Sequence, residues 1–300
     1  MAITKLNQII EDLQGKPKKR LVAAYANDAH SIEAVNEAVD KGIVTAILVG
    51  DEETIKKVCA EHGIDVTKFK IVHESNDQKA ANKAVSLINA GEADILMKGL
   101  VSTDKYMRAI LNKETGLLPP KAILSHIAVL EIPSYHKLLI VSDVAVLPAP
   151  DLNQKIAMTN YVISTAHKLG IEVPKIAINA ATEQMSVGMQ ACVDAAIISK
   201  LGDRGQIKGA SIDGPLALDV AVDMESVQIK GLKSTVAGDA DGIVFPNIES
   251  ANAFYKCTTK FAGAELAALV VGAKVPCVLS SRGDSSLTKL YSIALAALTA

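Results

Sequence analysis

Three short polar runs in this chain have the residue types and spacing to act on an anion. Ser280-Ser281-Arg282-Gly283-Asp284-Ser285-Ser286 follows the apolar run Val275 to Leu279 and precedes a helical pattern. Hydroxyls, a guanidinium and free backbone N–H groups at a helix start suit a phosphate, and an arginine can take two of its oxygens at once. The same residues also fit a structural arrangement, with Arg282 paired to Asp284 and the serines capping the helix. In Lys98-Gly99-Leu100-Val101-Ser102-Thr103 a strand ends in a cation, glycine permits close backbone approach, and Ser102 or Thr103 can cap the next helix. Ser142-Asp143 puts a carboxylate at the end of a very apolar strand, as a turn former or as a proton acceptor.

Other chemistries lack their residues. Neither GxxxxGK[ST] nor GxGxxG occurs, which weakens a kinase or a simple dinucleotide-binding dehydrogenase. Cys59, Cys192, Cys257 and Cys277 are scattered in apolar segments without a CxxC pair, and inert buried thiols are expected. The histidines are dispersed and no HExxH occurs, so no metal is expected.

These runs must be held by a sizeable fold. At 300 residues, 49% hydrophobic and 21% charged, the chain suits one large or two ordinary α/β domains. A formal charge of −2 and 3% aromatics argue against a nucleic-acid partner. The longest apolar stretches, such as Leu138 to Val141 or Leu266 to Leu279 around Lys274, break well before the ~18 residues of a spanning helix, so no membrane span is expected. The start carries Lys5, Glu11 and Asp12 in a helical pattern, unlike a secretory signal, and a cytoplasmic protein is expected.

Short apolar runs alternate with helix-period segments, the signature of βα units around mostly parallel sheets. Strands are expected at Arg20 to Ala26, Val44 to Val49, Asp94 to Lys98, Lys175 to Asn179, Gly242 to Phe245 and Val275 to Leu279. Helices are expected at Asp28 to Lys41, Asp51 to His62, Asp77 to Ala90, Leu152 to Leu169, Met185 to Leu201, Glu249 to Ala262 and Leu287 to Leu298. Ala122 to Ile132 and Lys137 to Ser142 are close apolar runs that suit an antiparallel hairpin. The Pro-rich turn Leu147 to Pro150 marks a boundary. Residues 1–143 with the terminal helix 285–300 are expected to form one α/β domain and 144–284 a second. A cleft between two such lobes, in an isocitrate/isopropylmalate dehydrogenase-like architecture, would hold ligands at strand carboxyl ends.

Five motifs in one order resemble the phosphate acetyl/butyryl transferases. They are Lys98-Gly99 with Ser102-Thr103; Asp143-Val144-Ala145-Val146-Leu147-Pro148-Ala149-Pro150; Asp213-Gly214-Pro215-Leu216-Ala217-Leu218-Asp219; Asp241 to Lys256, with Phe245-Pro246-Asn247 and Asn252-x-x-Tyr255-Lys256; and Ser281-Arg282-Gly283. The resemblance covers nearly the whole chain, and the Lys98 to Thr103 and Ser280 to Lys289 segments look most like the butyryl branch. It implies transfer of a short acyl group between coenzyme A and phosphate: butyryl-CoA plus phosphate gives butyryl phosphate plus CoA. It implies that Ser281 and Arg282 contact the phosphoryl group, with Lys98, Gly99, Ser102, Thr103, Gly283, Asp284 and Asn252 binding substrate. The acetyl branch carries an Asp seven residues after the Ser, proposed as the base for the thiol proton; Thr288 stands there in this chain. Leu147 replaces a common Asn, and Ala251 a common Gly. Asp143 and Asp284 remain open as proton acceptors, and Asp143 is counted with Ser281 and Arg282 as catalytic.

Coenzyme A would be a substrate, no cofactor would be tightly bound, and the partners would be acyl-CoA, CoA, phosphate and acyl phosphate in a homodimer. A phosphate acetyltransferase is the alternative reading. A decarboxylating hydroxyacid dehydrogenase would need clustered Asp ligands for Mg²⁺ or Mn²⁺, which are not evident, and a two-lobed small-molecule binding protein would normally be exported.

Overall fold

The computed structural model describes residues 2–279 and 285–300. In chain order its first elements are α1 (Leu6–Leu13), β1 (Lys19–Ala24), α2 (Ala29–Asp40), β2 (Val44–Gly50), α3 (Glu52–Glu61), β3 (Phe69–His73), α4 (Asp77–Asn89), β4 (Ile95–Lys98) and α5 (Thr103–Leu111). There follow β5 (Ser125–Glu131), β6 (Leu139–Ser142), α6 (Leu152–Lys168), β7 (Lys175–Asn179), α7 (Gln190–Asp203), β8 (Ser211–Leu216), α8 (Leu218–Val222) and α9 (Met224–Lys230). The last are β9 (Gly242–Val244), α10 (Ile248–Phe261), β10 (Glu265–Val271), β11 (Cys277–Val278) and α11 (Ser286–Thr299).

Local chemistry explains most helix starts. The side chains of Asp28, Asp51 and Asn76 each accept a backbone N–H of the first turn, satisfying a donor the helix itself leaves open. Asp151 and Gln154 form a reciprocal capping box on α6. After α2 the chain reverses at Gly42, whose φ of +75° a side chain would resist.

The chain forms two α/β units. The first comprises Leu6–Leu124 and Leu266–Ala300. Its strands lie in the order β3-β2-β1-β4-β11-β10, parallel except for β10, which runs antiparallel to β11. Leu21, Val22, Ala23 and Ala24 of β1 are all buried, as a strand covered on both faces must be. Helix α11 packs on α1, α2 and β11, and α4 on β1, β2 and α5. The second unit comprises residues 2–5 and Ser125–Glu265. Its order is β5-β6-β9-β7-β8, with β5 antiparallel to β6 and the rest parallel. Helix α6 packs on β6 and β9, and α7 on β7 and β8.

The hairpin is present as β5 and β6, and the terminal helix joins the N-terminal unit. The boundaries differ from the expected 143/144 and 284/285. Because β6 pairs with both β5 and β9, the hairpin belongs to the second unit; because β11 pairs with β4, it draws β10 and all of 266–300 into the first. The helix expected from Met185 begins only at Gln190. Gly188 is a poor helix former, and Met185 and Val187, 72% and 97% exposed, have no face to bury. Strands β3, β8 and β10 go beyond those expected: β3 is half-covered, and β8 contains Gly214-Pro215. Among the described residues no helix is long and apolar enough to cross a membrane.

A charge cluster clamps the amino ends of β6, β7 and β9. Lys137 Nζ lies 2.9 Å from Asp239 and 2.7 Å from Asp241, and Lys175 Nζ lies 2.7 Å from Asp239. Burial alone would raise the Asp239 carboxyl, but hydrogen bonds and charge from Lys175 and Lys137 outweigh it and hold it at about 2, below its ordinary 3.8. A depressed folded-state pKa contributes stability that is complete above the unfolded value and lost as pH falls through the folded one. Asp239→Asn is therefore less stable than wild type at neutral pH, and thermal melts show that gap closing as pH falls from about 4 to about 2.

Candidate active site

Loops at the carboxyl edge of a parallel sheet are where such folds bind ligands. In the first unit this edge gathers the ends of β1, β4 and β11. β4 ends at Lys98, which is 5% exposed, and its ammonium donates to Gly99 O at 3.1 Å and Val101 O at 3.0 Å. The backbone then runs against the end of β1: Gly99 N donates to Ala24 O at 2.9 Å and Leu100 N to Tyr25 O at 2.8 Å. A Cβ at Gly99 would lie 2.8 Å from Ala24 O and closer still to Tyr25 O, so only glycine permits this approach. Ser102 caps α5 through Lys105 N at 3.4 Å, and Thr103 opens that helix. The Tyr106 hydroxyl lies 3.2 Å from both Leu96 O and Val278 O, tying β4 to β11, and burial pushes its pKa far above the ordinary range.

After β11, the residues Ser281, Arg282, Gly283 and Asp284 lie outside the described residues. Both flanking elements, β11 and α11, belong to the unit that carries Lys98. Ser285 caps α11, its Oγ accepting from Thr288 N at 3.1 Å, and the two hydroxyls lie 3.1 Å apart. Thr288 is thus tied into the cap.

In the second unit, three of the five resembling motifs lie at the carboxyl edge of β6, β9 and β8. Asp143 directly follows β6 and is 1% exposed. One of its oxygens accepts from Ser125 Oγ at 2.9 Å and His126 N at 2.8 Å; the other accepts from Ala145 N and Val146 N, both at 2.8 Å. Asn252 on α10 donates to Val144 O at 2.9 Å, so two expected site residues hold one loop. Four donors converge on this one carboxylate, and they fix the loop that follows β6. Asn247 caps α10, Asp213 Oδ1 accepts from Gly214 N at 2.8 Å, and Asn179 Nδ2 donates to Leu216 O at 3.0 Å.

Sequence reasoning missed Lys155 and Asp194, a buried ion pair at 2.6 Å between α6 and α7. Lys155 lines a narrow crevice with Asn179, Phe245 and Pro246. Gln190 Nε2 donates to the other Asp194 oxygen at 2.8 Å. The only signal was a charged residue on the buried stripe of each helix. Cys59, Cys192 and Cys277 are buried as expected, and burial pushes Cys277 up to about 12; Cys257 is exposed. Among the described residues no cluster of three or more His, Cys, Asp or Glu side chains is placed to hold a metal.

The profile of the family described as phosphate acetyl/butaryl transferase matches residues 5–83 and 73–297. The chain is 45% identical to the phosphate butyryltransferase of Clostridium acetobutylicum over 298 residues, covering 99% of each chain. It is 41% identical to the phosphate acetyltransferase of Thermotoga maritima, covering 98% of this chain and 99% of that one. The crystal structure of a branched-chain phosphotransacylase from Enterococcus faecalis superposes with a TM-score of 0.83 at 31% identity, covering 94% of this chain and 98% of that one. With its motifs in order along two α/β units and its likeness extending over almost every residue, the chain belongs to the phosphate acetyl/butyryl transferase family.

Proposed function

We propose that this enzyme moves a short acyl group between coenzyme A and inorganic phosphate, with butyryl-CoA plus phosphate giving butyryl phosphate plus CoA. The observation that carries the reading is the 45% identity to a phosphate butyryltransferase across 99% of both chains. Acetyl transfer is the second reading, favoured by the 41% identity to a phosphate acetyltransferase.

In the acyl phosphate direction the CoA sulfur attacks the carbonyl carbon, the thiol proton passes to a base, and the tetrahedral intermediate expels phosphate. Arg282 holds that phosphate through two charge-assisted hydrogen bonds, with Lys98 adding positive charge. The Ser281 hydroxyl stabilises the carbonyl oxygen as it becomes an anion. Of the two candidate bases Asp143 already serves four donors, and the thiol proton is assigned to Asp284. Gly99, Ser102, Thr103, Gly283 and Asn252 shape the two substrate edges. CoA is a substrate, no tightly bound cofactor is required, and the working form is a homodimer.

Incubation with acyl-CoA and phosphate, followed by free-thiol release, tests the reading. The highest kcat/KM is expected with butyryl-CoA over acetyl-, propionyl- and branched-chain thioesters. One methylene discriminates by only ~1–3 kcal/mol, so neighbouring chain lengths remain substrates. The absence of thiol release with every thioester would refute transfer, and a preference for acetyl-CoA would select the second reading. Because phosphate charge is met by Arg282 and Lys98, turnover is expected to be unchanged by a metal chelator. Loss of most activity, restored by Mg²⁺, would overturn that expectation.

A further inference from the structure

A buried ion pair lies where the strand order of the second unit reverses. Strands β6, β7 and β8 succeed one another along the chain, yet β9, which comes after them, is inserted between β6 and β7. In parallel sheets ligands bind outside the carboxyl ends of the strands at such a reversal. Here β7 ends in Ile178 and Asn179, and β9 runs from Val244 into Phe245 and Pro246. Lys155 lines one narrow crevice with these five residues.

Lys155 stands in the first turn of α6, which follows the loop held by Asp143, and Asp194 in the second turn of α7, which follows β7. Their side chains are only 6% and 4% exposed, and Lys155 Nζ donates to Asp194 Oδ2 at 2.6 Å. Gln190 Nε2 donates to Asp194 Oδ1 at 2.8 Å, so both carboxylate oxygens are held. Adhesion does not require these charges. Each helix already packs on its strands and buries apolar side chains, Met158 and Val162 on α6, Ala195 and Ile198 on α7. Taking two charges out of water is so costly that apolar residues of similar volume often hold such a place as well or better. What an apolar pair lacks is direction: it can slide, whereas an ammonium and a carboxylate clamped by a third side chain favour one alignment.

We propose that Lys155 and Asp194 are positioning residues of the transferase. Their pair sets the alignment of α6 with α7, and through it the strand ends Asn179 and Phe245-Pro246, which meet the acyl-CoA. The proposal rests on the transferase reading. Apart from Asn179 and Lys155 these walls are apolar, which suits the uncharged acyl and pantetheine parts of the thioester and not inorganic phosphate.

The test compares wild type with Lys155→Met/Asp194→Leu, which removes both charges at similar volume, and with Gln190→Ala, an exposed position whose loss frees one Asp194 oxygen. Each is measured by phosphorolysis at varied butyryl-CoA and varied phosphate, by thermal melting and by calorimetric titration with CoA. For the double variant the expected result is a Tm no lower than wild type and a butyryl-CoA KM raised at least about fivefold, with phosphate KM within about twofold. Gln190→Ala is expected to move the same constant in the same direction by about two- to threefold. An unchanged butyryl-CoA KM in the folded double variant overturns the proposal whatever its Tm, because a pair that only stabilises the fold moves melting and not KM. A raised phosphate KM, alone or with the other, overturns it as well. Should wild type move no acyl group, the transferase reading fails, while a CoA affinity lowered in both variants, or unchanged in them, still decides whether the pair positions a CoA-binding surface. If the double variant does not fold, Gln190→Ala decides alone: a raised butyryl-CoA KM supports the proposal and an unchanged one overturns it.

Discussion

Arg282→Ala is expected to lower kcat by roughly 10²–10³-fold, the size typical of losing one preorganised electrostatic donor. The effect falls on turnover more than on phosphate KM, because two charge-assisted hydrogen bonds strengthen as negative charge builds on the leaving phosphate. Arg282→Lys rescues little, since an ammonium keeps the charge and loses the two-pronged geometry. The competing arrangement, in which Arg282 only pairs with Asp284, gives the opposite pattern: both variants stay within about tenfold of wild type, and a surface pair contributes only ~0–1 kcal/mol to stability. Steady-state kinetics and melting of the two variants separate these cases, and near-wild-type turnover in Arg282→Ala sinks the assignment.

Asp143→Asn is expected to damage stability and turnover together. The substitution removes the charge that four donors converge on and turns an NH₂ group toward N–H donors. Breaking such a buried arrangement costs roughly 3 kcal/mol, or about 6–12 °C of Tm at ~2–4 °C per kcal/mol. Freed from Ala145 N and Val146 N, the loop after β6 loses its fixed position, and kcat falls by more than about tenfold. The acid limb of the kcat/KM profile keeps its midpoint if Asp143 holds the loop. A Tm within about 1 °C of wild type, with that acid limb abolished, would instead make Asp143 the proton acceptor.

Features legible in the sequence were those set by neighbours along the chain. Asp28 and Asp51 announce α2 and α3 because an N-cap needs only a side chain within reach of the next turn. The hairpin of β5 and β6 was legible because only Pro133 to His136 separates its apolar runs. Domain limits were not, because the pairing of β11 with β4 joins residues far apart in sequence and no local pattern encodes it. Met185 and Val187 mimicked a helical stripe, yet the fold gives them nothing to pack on. The candidate site divides the same way. Lys98, Gly99 and Ser102 declare themselves as a strand end and a cap, whereas the partnership of Lys155 with Asp194 exists only once helices are docked.

The interrupted first unit also orders events during synthesis. Its strand β4 has no neighbour on one side until β11 arrives, and α11 must still dock on α1 and α2. Between them the ribosome has to make Ser125–Glu265, which at roughly 5–20 residues per second takes on the order of 10–30 s. During that wait an apolar parallel strand edge stands open, the kind of surface that recruits chaperones or other chains. The second unit, nearly continuous in sequence, can close in the meantime. The half made first is thus finished last, and its sheet edge is covered only when the final helix seats.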